Sequence, residues 1–351
     1  MSGSFDAMAC MGDSMRGWIA QHCQPRHAAS AEVLIQEGSP DPHLWLIEAG
    51  SAQVSTTGSD GTQIHLATLA AGALVGEMSV LEGRPAVASV IAGSPCRVIP
   101  IDPPALAAAM ARSPVLALEV NNLFARKLAL QLDSQNHFIH RWRETSIEPL
   151  RKALVVFAQL QEVDLEWLAR LGRRRRYPDG AVLIRQGESV PDLLLVLVGT
   201  ASVRVAAAAG EVEVGTSRSG ELLGEMSLVG RDDHASATVV ARGPVEVLAL
   251  PKALLLEDLA CDPARGARFY RAMALMLSQR SRDQLQSRGL AAVARMRDEN
   301  PQPEPTWAVP PSGEADLEME EQLDLDQMAS ITQAGHRFHW LCRRVGMAGA
   351  P

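Results

Sequence analysis

The chain has 351 residues, 47% hydrophobic, 21% charged and 4% aromatic, with a mean hydropathy of zero. That length predicts two domains with well-buried cores, and the composition excludes a fibre or a wholly disordered chain. The net charge is −8, and eight acids within residues 301–335, where no Lys or Arg occurs, account for all of it. A neutral body therefore carries an acidic tail, and neither part offers the basic field that nucleic-acid binding needs.

Residues 1–25 form an N-terminal segment with helical character. It contains Asp6 and no basic run ahead of an apolar core, so no secretory signal is expected. Leu193–Val203 is apolar and uncharged but too short to span a bilayer. The five cysteines (Cys10, Cys23, Cys96, Cys261 and Cys342) are odd in number and lack metal-site spacing. Reduced thiols and a cytoplasmic location follow as the expectation. Only Lys127, Lys152 and Lys252 are lysines among the bases, which reads as compositional bias, not function.

The chain repeats itself. Val33-Leu34-Ile35-Gln36-Glu37-Gly38, Pro40-Asp41, Leu44–Ile47 and Gly50 are matched by Val182-Leu183-Ile184-Arg185-Gln186-Gly187, Pro191-Asp192, Leu193–Val198 and Gly199. Further along, Gly72 and Gly76-Glu77-Met78-Ser79 are matched by Gly220 and Gly224-Glu225-Met226-Ser227. The offset is 149 residues early and 148 at the second motif, so the duplication is nearly gapless. Short β-rich runs punctuated by glycine predict strands, and the continuous apolar runs predict strands buried on both faces. Helices follow each copy, over about Pro104–Glu144 broken at Pro114 and about Ala253–Arg297 broken at Pro263.

These residues resemble the cyclic-nucleotide-binding domain, the sensor shared by catabolite-activator-type regulators, kinase regulatory subunits and gated channels. Arg173–Tyr177 with Pro178-Asp179-Gly180 resembles the opening strand, Gly224-Glu225-Met226-Ser227-Leu228 the phosphate cassette and Ala237-Thr238-Val239 the strand after it. In the first copy Gly76-Glu77-Met78-Ser79-Val80-Leu81 and Ala88-Ser89-Val90 correspond. The resemblance implies a mainly β fold with α: two tandem β-rolls of the jelly-roll type, each followed by helices. The expected domains are 26–148 and 149–297, with 298–351 as a Pro-rich linker and acidic tail.

In that family the cassette glutamate accepts from the ribose 2′-hydroxyl, and an arginine about ten residues after the glycine pairs with the cyclic phosphate. The resemblance places Glu77 and Glu225 at the ribose. The arginine position falls on Ala86 in the first copy, and on His234 or Ala235 in the second, where the loop is one residue longer. Both copies thus lack the anchor, a difference of one to several orders of magnitude in phosphate affinity. Arg84 and His234 are the nearest replacements, although Asp232 and Asp233 adjoin His234. The candidate ligand residues are Gly76, Glu77, Met78, Ser79, Arg84, Ala88 and Ser89, and Gly224, Glu225, Met226, Ser227, His234, Ser236 and Ala237. The ligand is a cyclic nucleotide (cAMP or cGMP) or another small anion. The two glutamates could alternatively cap their short helices.

No nucleophile elbow, P-loop or acid–base set marks an enzyme, and no catalytic residue is assigned. His336 and His339 share a helical spacing, but nothing completes a metal site. The Arg173–Arg176 run reads as a solvated strand paired with Glu162, Asp164 and Glu166. Trp45 reads as core, and Trp307 and Trp340 lie in or near the tail. After the prolines at 301–311, acids alternate with Leu317, Met319, Leu323 and Leu325. A helical stripe continues through Met328, Ile331, Phe338, Trp340 and Leu341. The 314–345 tail is thus suited to docking on a protein partner or to packing on its own body. The long helices could pair between two chains as a homodimer or within one. No helix-turn-helix with a basic recognition helix follows the second copy, so DNA binding is not expected. The leading expectation is a non-enzymatic sensor or regulatory adaptor; a ligand-free scaffold and a transcription regulator are the alternatives.

Overall fold

The computed structural model describes residues 5–57, 63–136, 156–207, 210–230, 233–299 and 325–347. In the first half, helices α1 (Ala7–Cys10) and α2 (Asp13–His22) precede strands β1 (Arg26–Ala28), β2 (Val33–Ile35), β3 (Leu44–Ala49), β4 (Ser51–Thr57), β5 (Gln63–Ala70) and β6 (Leu74–Val75). Helix α3 (Glu77–Glu82), strands β7 (Ser89–Ala92) and β8 (Cys96–Ile101), and helices α4 (Pro103–Arg112) and α5 (Pro114–Asn136) complete it. The strands form two antiparallel sheets, ordered β1-β8-β3-β6 and β2-β7-β4-β5.

Residues 156–159 are helical. After them come α6 (Glu162–Leu171), β9 (Arg173–Tyr177), β10 (Val182–Ile184), β11 (Asp192–Ala207), β12 (Gly210–Arg218) and β13 (Leu222–Leu223). Then follow α7 (Glu225–Val229), β14 (Thr238–Pro251), α8 (Lys252–Cys261), α9 (Pro263–Glu299) and α10 (Leu325–Arg344). Here the strands join one sheet, β10-β14-β11-β12, with β13 on β11 and β9 on β14. Long strands β11 and β14 replace the pairs β3/β4 and β7/β8, with register shifts in β11–β14 pairing where it bends.

The continuous apolar runs are buried on both faces. In β3, Trp45 and Ile47 enter the first roll, while Leu44 and Leu46 face the helices. In β11, Leu194 and Val196 enter the second roll, while Leu193, Leu195 and Leu197 face the same helices. Alternation along a strand produces this division. The result is two separate roll interiors and one helical core common to both halves.

That common core is built on α5 and α9, which pack along each other. Ala125 and Ala129 on α5, and Ala272 and Ala274 on α9, are buried in it. Asn121 donates to the Ala267 carbonyl at 3.2 Å and Gln131 to the Ser281 hydroxyl at 2.8 Å. The contact is crosswise: α9 also lies against α3, and α5 against α7. The long helices thus pair within one chain. Both begin at the expected prolines, after capping residues: Ser113 accepts from Leu116 N–H, and Asp262 from Arg265 N–H. Residues 137–144, expected to extend the first helix, lie outside the described residues.

The tail helix packs on its own body. Phe338 meets Phe157 edge-on at 5.1 Å, and Ala334, Leu341 and Cys342 are buried. Arg337 donates to the carbonyls of Phe157 and Ala158 at 3.0 Å, and Arg344 forks onto Glu166 at 2.7 and 3.1 Å. The apolar side expected to meet a partner is therefore covered, over this segment, by α6 and the turn before it. Residues 301–324, with the prolines, Trp307 and most of the acids, lie outside the described residues.

Arg344 holds the Glu166 carboxylate below its ordinary range. The contact is supported above the ordinary carboxylate pKa and is lost as pH falls through the lowered value. Burial pushes the Cys342 thiol up to about 11, so it is protonated and shielded at neutral pH. Arg337→Ala with Arg344→Ala is expected to raise the rate of Cys342 labelling by a disulfide reagent about tenfold or more. An unchanged rate would show that these contacts do not hold the helix.

Candidate functional site

Each cassette begins where a glycine turns into a short helix. Gly76 has φ +94° and Gly224 φ +83°, a left-handed conformation natural to glycine. A Cβ on Gly76 would lie 1.7 Å from the His43 carbonyl oxygen, so strand and cassette touch backbone to backbone. Met78 and Ser79 are buried behind Glu77, and Ser227 donates to the Gly224 carbonyl at 2.7 Å.

The strands of the two rolls share a repeated bonding pattern. Ser89 Oγ accepts from Glu37 N–H at 3.0 Å, and Thr238 Oγ1 accepts from Gln186 N–H at 3.1 Å. The side chains of Glu37 and Gln186 then accept from the amides of Thr57 and Ala206, each at 2.8 Å. Every pair here is separated by 149 residues. Ala88 and Ala237 are buried beside them and Ser236 is half-buried.

The cassette acids are buried and bonded to cations. Glu77 is 2% exposed and pairs with Lys127 of α5. Glu225 is 4% exposed and pairs with Arg280 of α9, whose other arm lies 3.6 Å from Glu221. Burial works against the charged form of Arg280, but the two carboxylates override it and its pKa lies above the ordinary arginine value. Each acid is thus tied to the long helix that follows its own roll, an arrangement different from a cap on its own short helix.

The arginine positions are apolar: Ala86 packs against the first roll's interior, and Ala235 belongs to the second's. Arg84 is half-buried on the turn after α3. His234 is exposed, and its backbone pairs with Ser189. Asp233 accepts from the Ser189 hydroxyl at 2.8 Å and forms an ion pair with Lys252. Lys252 also reaches the Ser227 carbonyl at 3.3 Å, and burial pulls its ammonium below the ordinary lysine range. Asp232 lies outside the described residues.

Two of the three lysines contact the cassettes from neighbouring helices: Lys127 pairs with Glu77, and Lys252 reaches Ser227. One expectation is corrected. The arginine run on β9 forms ion pairs, but with other acids: Arg174 and Arg176 with Glu246, and Arg175 with Asp192. Strand pairing with β14 brings Glu246 opposite Arg176, whereas Asp164 and Glu166 are taken by Arg268 and Arg344. Among the described residues no group of His, Cys, Asp and Glu could hold a metal ion, and no helix is long and apolar enough to cross a membrane.

A family model for the cyclic nucleotide-binding domain matches residues 25–113 and 174–260, together just over half of the chain. The chain belongs to the cyclic nucleotide-binding domain family. A cAMP-dependent protein kinase regulatory subunit of Pyricularia oryzae is 25% identical over 239 residues, covering 65% of this chain and 53% of the relative. The cGMP-dependent protein kinase egl-4 of Caenorhabditis briggsae is 25% identical over 228 residues, covering 64% and 26%. The chain therefore spans about half or less of these relatives. Among solved structures, the regulatory domain of Toxoplasma gondii PKA with cAMP is 17% identical, with TM-score 0.28 over 84% of this chain and 92% of that one. As a member of this family the chain carries two copies of the fold.

Proposed function

We propose that this chain is a non-enzymatic regulatory protein whose two cyclic-nucleotide-binding domains, 26–148 and 149–297, report a small ligand through the paired helices α5 and α9. The observation that carries this reading is the bonding of the cassette acids. Glu77 is held by Lys127 and Glu225 by Arg280, and those cations stand on helices that share one core. A ligand hydroxyl that took over either carboxylate would release a cation from it and shift the balance of helix packing. Relatives named as kinase regulatory subunits are consistent with a protein partner as the receiver of that change.

A ligand-free scaffold is the second reading, favoured by the fact that both acids are already neutralised from within. Titrating the full chain with cAMP and cGMP while following thermal unfolding separates the two. Saturating ligand is expected to raise the midpoint by several degrees, by mass action on the folded state. No shift with either nucleotide at millimolar concentration would overturn the cyclic-nucleotide reading and leave the scaffold.

A further inference from the structure

Arg282 belongs to the second half of the chain, on α9, yet its guanidinium is bound to the first half's cassette. Its Nε donates to Glu82 at 2.6 Å and its Nη1 to the Pro85 carbonyl at 3.1 Å. Ser278, one turn earlier on the same helix, donates to the other oxygen of Glu82. Arg282 is 5% exposed, and its Nη2 has no acceptor among the described residues. A guanidinium has five N–H donors in a fixed fork, so it can serve Glu82 and Pro85 and still offer the remaining arm. A buried charged donor without an acceptor is costly; the arrangement asks for an oxygen.

The place is informative. Pro85 directly precedes Ala86, the residue standing where the family's phosphate arginine would be. The second half has no counterpart: at the cassette spacing of 148, Glu82 is matched by Gly230, which has no side chain to receive a cation from α5.

From this juxtaposition we infer that Arg282 supplies the first cassette's missing cation across the junction between the halves. The first pocket then takes the anionic phosphate of a cyclic nucleoside monophosphate, and the second lacks this anchor. The inference rests on the reading of the cassettes as ligand pockets. It deepens that reading, because the anchor is also a latch: an anion drawn to Nη2 is held by the helix of the other half.

The test compares cyclic AMP with adenosine, which lacks the phosphate, by calorimetry on the full chain. Arg282→Gln is expected to weaken cyclic AMP binding about 10- to 100-fold and leave adenosine unchanged. Glu82→Gln, which removes the competing carboxylate, is expected to tighten cyclic AMP binding. A merely structural ion pair would move both variants in the same direction, and that outcome overturns the proposal. The double variant Arg282→Met with Glu82→Met removes both charges together, which buried pairs tolerate better than loss of one partner. It is expected to bind adenosine as wild type does and cyclic AMP weakly. Equal cyclic AMP affinity in wild type and Arg282→Gln overturns the anchor alone. Failure of the wild-type chain to bind either compound at millimolar concentration overturns the ligand reading and the anchor with it.

Discussion

Asp164→Ala is expected to lower the stability of the second half by about 3 kcal/mol, among the largest effects of any single substitution outside the apolar core. Asp164 is 0% exposed. Its two oxygens receive Nε and Nη2 of Arg268 at 2.7 Å each, and one also accepts from the Gln161 amide at 2.9 Å, closing the capping box of α6. Alanine removes the cap and leaves Arg268 to find water from a position only a quarter exposed. The hydrogen bond that Arg268 donates to Asp164 raises the Arg268 pKa although burial opposes it, so the guanidinium stays charged at every pH of interest. Asp164→Asn retains an acceptor for the cap and is expected to lose roughly half as much. Urea titration of both variants measures the difference, and a loss below about 1 kcal/mol for alanine would contradict the account.

The cassette glycines give the second large effect, and an unequal one. Gly76→Ala places a methyl 1.7 Å from the His43 carbonyl oxygen at a φ of +94°, where neither partner can swing aside. The strand or the cassette must move, and the first half is expected to lose more than about 4 kcal/mol and with it soluble expression. Gly224→Ala meets the Val190 Cγ1 at 2.9 Å, a side-chain atom that can turn away. The expected loss is the left-handed penalty of about 1–2 kcal/mol. Thermal unfolding of the two variants side by side reads this asymmetry, and equal losses would refute it.

The features legible in the sequence are those that repeat. The 149-residue spacing exposes the strands, the turn glycines and the cassette glutamates, and the apolar runs of β3 and β11 announce strands buried on both faces. The cations were not legible. At the same spacing Lys127 falls opposite Met276, and Arg280 opposite Gln131, so the two halves solve one electrostatic problem from different turns of equivalent helices. No comparison of the copies reveals that. The scarcity of lysine does not announce that two of the three are half-buried partners of acids. The arginine run is legible as an ion-paired strand, but its acids are not, because strand neighbours are set by sheet register and not by nearness in sequence. The tail stripe was visible as a helix, while the surface that receives it, around Phe157 and Glu166, emerges only from tertiary packing.

The shared helical core has a consequence for how such a protein behaves in a cell. Where two sensor copies must find each other, their pairing, and any response built on it, fades on dilution and strengthens with expression. Here the covalent connection supplies the neighbour at a fixed effective concentration, so the assembled junction is indifferent to abundance. The two copies are also free to diverge, as Glu82 and Gly230 already have: a one-to-one stoichiometry written into the polypeptide allows a directional instrument that a symmetric pair of identical chains cannot encode.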